Sequence, residues 1–269
     1  MSYKTRLVQK LSMSATRAHV KLDKLDVLEV KNLLQAFDHS EEFPDAGILF
    51  AAFRTLGSRK NEHWLNKYAA RLTRRPGDAS PGGRMCHVEV ILAVRPGLYV
   101  KTSVIKKSWA GKREDGSDIW KPGGVHLKRT DPAEWQSKYV FLKFACDRKS
   151  IYKMLCFLAV QSGHAFNPWS YYAALTPTGW GVNRWTPDMM SERDDTAWYC
   201  SEFLTAALQC ASAGHAGKPP RGGNPDGWRY AVWRIRPSTS NPNMLYRELS
   251  RCQDVYSDGA LGSGIIASI

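Results

Sequence analysis

The sequence predicts an α+β chain in which an antiparallel sheet packs against helices behind a helical N-terminal extension. Three observations carry that prediction. Apolar residues recur at helical spacing up to about residue 72, and then the pattern changes. Past the Gly/Pro-rich stretch RRPGDASPGGR (74–84), short runs dense in β-branched residues take over. From residue 147 the helical spacing returns, interrupted by an aromatic, proline-rich loop at 165–188.

Residues 1–20 are basic and weakly patterned, which predicts an arm. Leu25, Leu28, Leu33, Leu34 and Phe37 suit one helix within 22–37, stopped before Pro44. Asp45 is placed to cap a second helix through Ile48, Leu49, Phe53 and Leu56, with another near 62–72. The stretch 74–84 is the best boundary in the chain. CHVEVILAV (86–94) reads as a strand ending at the Arg95-Pro96-Gly97 turn, and LYVKTSVI (98–105) as its hairpin partner. A polar, glycine-rich excursion (108–124) precedes two more strands, GVHLKRT (124–130) and KYVFLKFAC (138–146). Residues 147–163 turn helical, with Asp147 as cap and Gly163 as stop. The segment WYCSEFLTAALQC (198–210) carries the next helix, started by Asp194, Asp195 or Thr196 and stopped by Gly214. RYAVWRI (229–235) reads as a last strand and NPNMLYREL (241–249) as a short helix after Pro242.

With 269 residues, 43 % hydrophobic and 23 % charged, the chain can bury a full core. Its net charge of +13 favours an anionic neighbour such as nucleic acid, an acidic membrane surface or an acidic protein. Residues 101–153 hold 13 basic and 6 acidic side chains, so over half of the excess falls there. That stretch has no dense Lys/Arg run and no helix-turn-helix or zinc-finger spacing, which makes polyanion contact incidental to the fold. Six cysteines form no CxxC pair, and the N-terminus lacks an apolar signal core. No run approaches the length of a membrane span. The expectation is a reduced protein, cytoplasmic or in a virion, with no metal and no cofactor. GALGSGIIAS near the C-terminus lacks the ending of a phosphate loop.

A thiol is a useful nucleophile when it ionises near neutral pH, which a helix N-terminus and a neighbouring imidazole both favour. Cys200 follows the polar run SERDDTAW and opens an apolar helix, whereas Cys156 and Cys210 lie among apolar residues and read as core. Of seven histidines, His87 stands out because it opens an apolar strand. A period of two puts Glu89 on its face, where a carboxylate can orient the ring and support its charged form. The competing reading is a His-x-Glu pair in water at a sheet edge. Glu202 is about 200° round the helix from Cys200 and is read as structural. Trp169, Tyr171, Tyr172, Trp180 and Trp185 are candidates for an acyl or peptide groove, against the alternative of loop packing over the core.

The order of His87 in HVEV on an early strand and Cys200 in WYCSEFL on a later helix resembles one known family. It is the circularly permuted branch of the papain-like NlpC-type cysteine hydrolases, the YiiX-like and poxvirus-type group. GDASPGGRMCHVEVIL, GGVHLKRTDPAEW, QSGHAFNPWSYYAAL and NPNMLYREL fall where that family has similar elements, over about 77–250. The resemblance implies a permuted papain-like domain at 77–250, with 1–76 a basic helical extension and 251–269 a tail. It implies Cys200 as nucleophile, His87 as general base and later acid, and Glu89 as the orienting third residue, with His126 as the alternative. The backbone N–H of Cys200 would help form an oxyanion hole. Where relatives often have Tyr-Asp after the long helix, this chain has Phe166-Asn167. The expected activity is a thiol hydrolase or acyltransferase acting on a peptide, isopeptide or lipid acyl bond: a cysteine peptidase, an amidase or a lipid acyl hydrolase. The alternatives are a virion-associated or other structural protein with this fold and little turnover, and a basic polyanion-binding accessory protein using 101–153.

Overall fold

The computed structural model describes residues 32, 34–35, 46–56, 64–73, 85–95, 98–129, 139–167, 197–212, 227–235, 237 and 240–251. Within them, seven strands form one sheet, and helices pack on it. The strands are β1 (Ala46–Thr55), β2 (Met85–Arg95), β3 (Leu98–Lys112), β4 (Asp118–Arg129), β5 (Tyr139–Asp147), β6 (Ala165–Phe166) and β7 (Ala197–Trp198). The helices are α1 (Trp64–Leu72), α2 (Arg148–Gln161), α3 (Cys200–Ala211), α4 (Gly227–Ala231) and α5 (Pro242–Ser250). The sheet order is β5-β1-β2-β3-β4-β6-β7, antiparallel throughout except for the parallel β6–β7 pair.

The largest correction to the sequence reading is β1. The helix expected from Asp45 through Leu56 is a strand, and it lies inside the sheet between β5 and β2. Leu49, Ala51 and Phe53 enter the main core on one face, while Phe50 and Ala52 enter a second cluster with Ile91, Ala93 and Tyr99 on the other. A strand buried on both faces reads as a continuous apolar run, which periodicity alone does not separate from a buried helix. Consequently 1–76 is not a separate helical extension: its strand is part of the sheet attributed to 77–250. The helix expected near 62–72 is α1.

Two further expectations are corrected. The segment RYAVWRI is helical, first as α4 and then as a 3₁₀ turn at Val232–Arg234. Trp228, just before it, and its own Val232 and Ile235 are buried at i, i+4 and i+7, with Ile235 ending the turn as an extended C-cap. The excursion at 108–124 is an extended hairpin, since β3 and β4 stay paired out to Lys112 and Asp118. Its turn closes with the Arg113 N–H donating to Ser117 O at 2.8 Å, and Gly116 supplies the left-handed residue at φ 80.

The strands expected at 86–94, 98–105, 124–130 and 138–146 and the helices at 147–163 and 241–249 are found where expected, while the 1–20 arm, most of the 22–37 helix, most of the 165–188 loop, Gly214 and the tail past 251 lie outside the described residues. Asp147 caps α2 by accepting the Ser150 N–H at 2.7 Å, and Gly163 follows the helix with φ 84. Asn241 caps α5 by accepting the Met244 N–H at 2.9 Å, with Pro242 in the first turn. α2 packs on α3, and Phe157, Trp198 and Phe203 form an aromatic cluster with ring centroids 5.5, 5.7 and 5.9 Å apart. Among the described residues no helix is long and apolar enough to cross a membrane.

β4 is joined to β6 by a close backbone approach at Gly124. A Cβ there would lie 2.2 Å from His164 O, so only glycine fits. Gly124→Ala will therefore separate β4 from β6, lowering stability by about 2 kcal/mol and Tm by roughly 6 °C. A thermal melt within about 2 °C of the unsubstituted chain would show that this approach is dispensable.

Candidate active site

Cys200 is the first residue of α3, so the helix starts at 200, later than the expected start at Asp194, Asp195 or Thr196. The residues just before it form β7, and Tyr199 is the extended N-cap at φ -118, ψ 165. Tyr199 is buried, and its hydroxyl reaches Ser240 O at 2.9 Å and Pro237 O at 3.2 Å. The Ser201 hydroxyl donates to the same Ser240 carbonyl at 3.0 Å. These bonds pin the helix N-terminus, and they commit Ser201 to structure rather than attack. Cys200 is only 7 % exposed at the positive end of the helix dipole.

β2 brings His87 to the Cys200 thiol. Each side chain shifts the other's ionisation, and the backbone at Val88 and Ser201 also favours the Cys200 thiolate. His87 Nε2 lies 3.3 Å from Glu89 Oε1 and 3.4 Å from Ser103 Oγ. The other Glu89 oxygen, Oε2, is paired with the Lys101 ammonium, which also sits 5.4 Å from the centre of the Tyr139 ring. A chain of four ionisable groups therefore runs from Cys200 through His87 and Glu89 to Lys101.

Burial disfavours charge on Cys200, His87 and Glu89, and pairing overcomes it. Burial opposes the His87 imidazolium, yet the Cys200 thiolate and the Glu89 carboxylate outweigh it and raise the ring to about 9. Burial likewise opposes the Glu89 carboxylate, but His87 and Lys101 hold it well below the usual carboxylate range. Burial pushes against the Cys200 thiolate too, and His87 brings that thiol below its ordinary value. Cys210 shows the contrast: burial pushes it up to about 12, and its sulfur faces Lys153 O at 3.6 Å. The two cysteines of one helix are thus in opposite states, and the five cysteines among the described residues are unbridged.

Glu89, not His126, is the residue whose contact with the His87 ring the structure shows. His126 lies on β4 directly opposite Ser103, one strand further from His87. Trp169, Tyr171, Tyr172, Trp180 and Trp185 lie outside the described residues. Glu202 is 2 % exposed in the first turn of α3, where its charge suits the helix dipole. Lys101 and Ser103 were not singled out from the sequence, although a signal existed. In LYVKTSVI the period of two sets Tyr99, Lys101 and Ser103 on one face, an unusual polar pair in an apolar strand.

An ion pair of this kind can attack a carbonyl carbon through sulfur and return a proton to the leaving group from the ring. Glu89→Gln removes the anion that supports the imidazolium. The upper limb of Cys200-dependent activity, set by His87 at about 9, should move down by about one pH unit. An unmoved limb would remove Glu89 from the relay. No protein-family model, curated protein or solved structure matches the chain.

Proposed function

We propose that the protein is a cysteine hydrolase or acyltransferase with a permuted papain-like arrangement. Cys200 attacks an amide or ester carbonyl, its thiolate forming the C–S bond. His87 then gives its proton to the departing amine or alcohol. In the second half, His87 takes a proton from water or another acceptor, which attacks the thioester and releases Cys200. Glu89 orients the ring throughout, and Lys101 holds Glu89. The observation that supports this reading best is that Glu89 is bonded to the His87 ring while His87 favours the thiolate of buried Cys200, the first residue of a helix.

The test needs no substrate. A thiol-directed acyl or vinyl probe under reducing conditions should label the unsubstituted chain once, and Cys200→Ala should take no label at that site. Equal labelling of Cys200→Ala, or no labelling of the unsubstituted chain, would overturn the proposal.

A further inference from the structure

We propose that the outward face of α1 seats the protein on an anionic lipid surface. Trp64, Tyr68 and Leu72, at 66 %, 54 % and 38 % exposure, are three of the largest exposed apolar side chains in the described structure. They recur at i, i+4 and i+8, so they form one stripe about 12 Å long. Lys67 and Arg71 are also exposed, and helical geometry sets them along one flank of that stripe. The five side chains together cover an arc of about 140°. α1 carries no acidic residue.

The opposite side of the helix is spoken for. Ala70 is buried, and its carbonyl accepts from Asn243 Nδ2 at 3.0 Å; Thr73, just past the helix, meets the same nitrogen at 2.9 Å. Asn243 also accepts the Met85 N–H, two residues before His87. The aromatic face is therefore held rigidly, close to the strand end that carries the candidate site.

Charge selects the occupant. A second copy seated by two-fold symmetry would set Lys67 and Arg71 close to their own copies, in a chain already at +13. An anionic bilayer answers both features. Trp and Tyr rings suit the boundary between headgroups and acyl chains, while lysine and arginine stems extend to the headgroups. This surface does not depend on the thiol chemistry.

The test is co-sedimentation of the full chain with vesicles of phosphatidylcholine alone or mixed with phosphatidylserine. Mixed vesicles should bind on the order of tenfold more tightly, and added salt should weaken that binding. The joint substitution Lys67→Glu with Arg71→Glu should lower affinity for mixed vesicles by tenfold or more, as an order of magnitude. Tyr68→Ala with Leu72→Ala, which leaves Trp64 and its own contact in place, should weaken binding by about tenfold with Cys200 labelling unchanged, and adding Trp64→Ala should abolish binding. Cys200→Ala should bind as the unsubstituted chain does. Absence of binding, binding that survives the triple substitution, or polyglutamate engaging α1 as tightly as mixed vesicles would each overturn the proposal. So would a dimer in sedimentation equilibrium that the triple substitution dissolves.

Discussion

Alkylation of Cys200 by iodoacetamide at about pH 6 will slow at least tenfold when His87 is replaced by alanine. A thiol at its ordinary value is only about 0.3 % ionised at that pH, and burial in this site depresses the fraction further. His87 reverses that balance by supplying a buried positive partner. The larger thiolate fraction speeds alkylation, and the lower intrinsic nucleophilicity of a more acidic thiolate returns part of that gain. The difference should close as pH rises past the ordinary thiol range, because both chains are then ionised. In the unsubstituted chain the pair forms as pH rises through the lowered Cys200 value. It persists until His87 loses its proton at about 9. Acyl transfer should fall along that upper limb, since the ring no longer has a proton for the leaving group. Cys200→Ser should reduce any turnover by about 1,000-fold or more. Equal alkylation rates for the two chains at about pH 6 would show that the ring does not support the thiolate.

The candidate pair was legible in the sequence, because period-two alternation sets His87 beside Glu89 and a polar run leads into Cys200. Their convergence was not, since local spacing says nothing about which helix end meets which strand. β1 was misread for a related reason. AGILFAAFRT is apolar at both parities, as a strand with two buried faces must be, and Asp45 before it gave a false cap. The boundary at 74–84 then inherited the error, as the strand preceding it pairs directly with β2. RYAVWRI failed the other way: β-branched and aromatic residues suggested a strand, but three buried residues at helical spacing decided the outcome. Capped and glycine-stopped elements, α2 and α5 above all, were read correctly because their end signals are local.

Asn243→Ala will lower stability by about 3 kcal/mol and Tm by roughly 10 °C, the largest loss expected from one polar side chain here. Asn243 is buried on α5, and a single amide serves three elements. Its Oδ1 accepts the Met85 N–H at 2.7 Å, and its Nδ2 donates to Ala70 O and Thr73 Oγ1. Truncation leaves the Met85 N–H and the Ala70 carbonyl in a place from which water is excluded, so the full desolvation of those groups is felt. Asn243→Asp separates hydrogen bonding from simple packing. The introduced carboxylate keeps an acceptor for Met85 but sets a negative charge against the Ala70 carbonyl. Protonation restores a donor, so the folded state should bind that proton more tightly than the unfolded chain does. Folded and unfolded proton uptake then differ in the direction that makes this variant lose stability as pH rises, relative to the unsubstituted chain. Since Met85 leads into His87, both substitutions should also slow Cys200 alkylation at neutral pH. A stability change under about 1 kcal/mol for Asn243→Ala would mean that this amide is not what joins α1, β2 and α5.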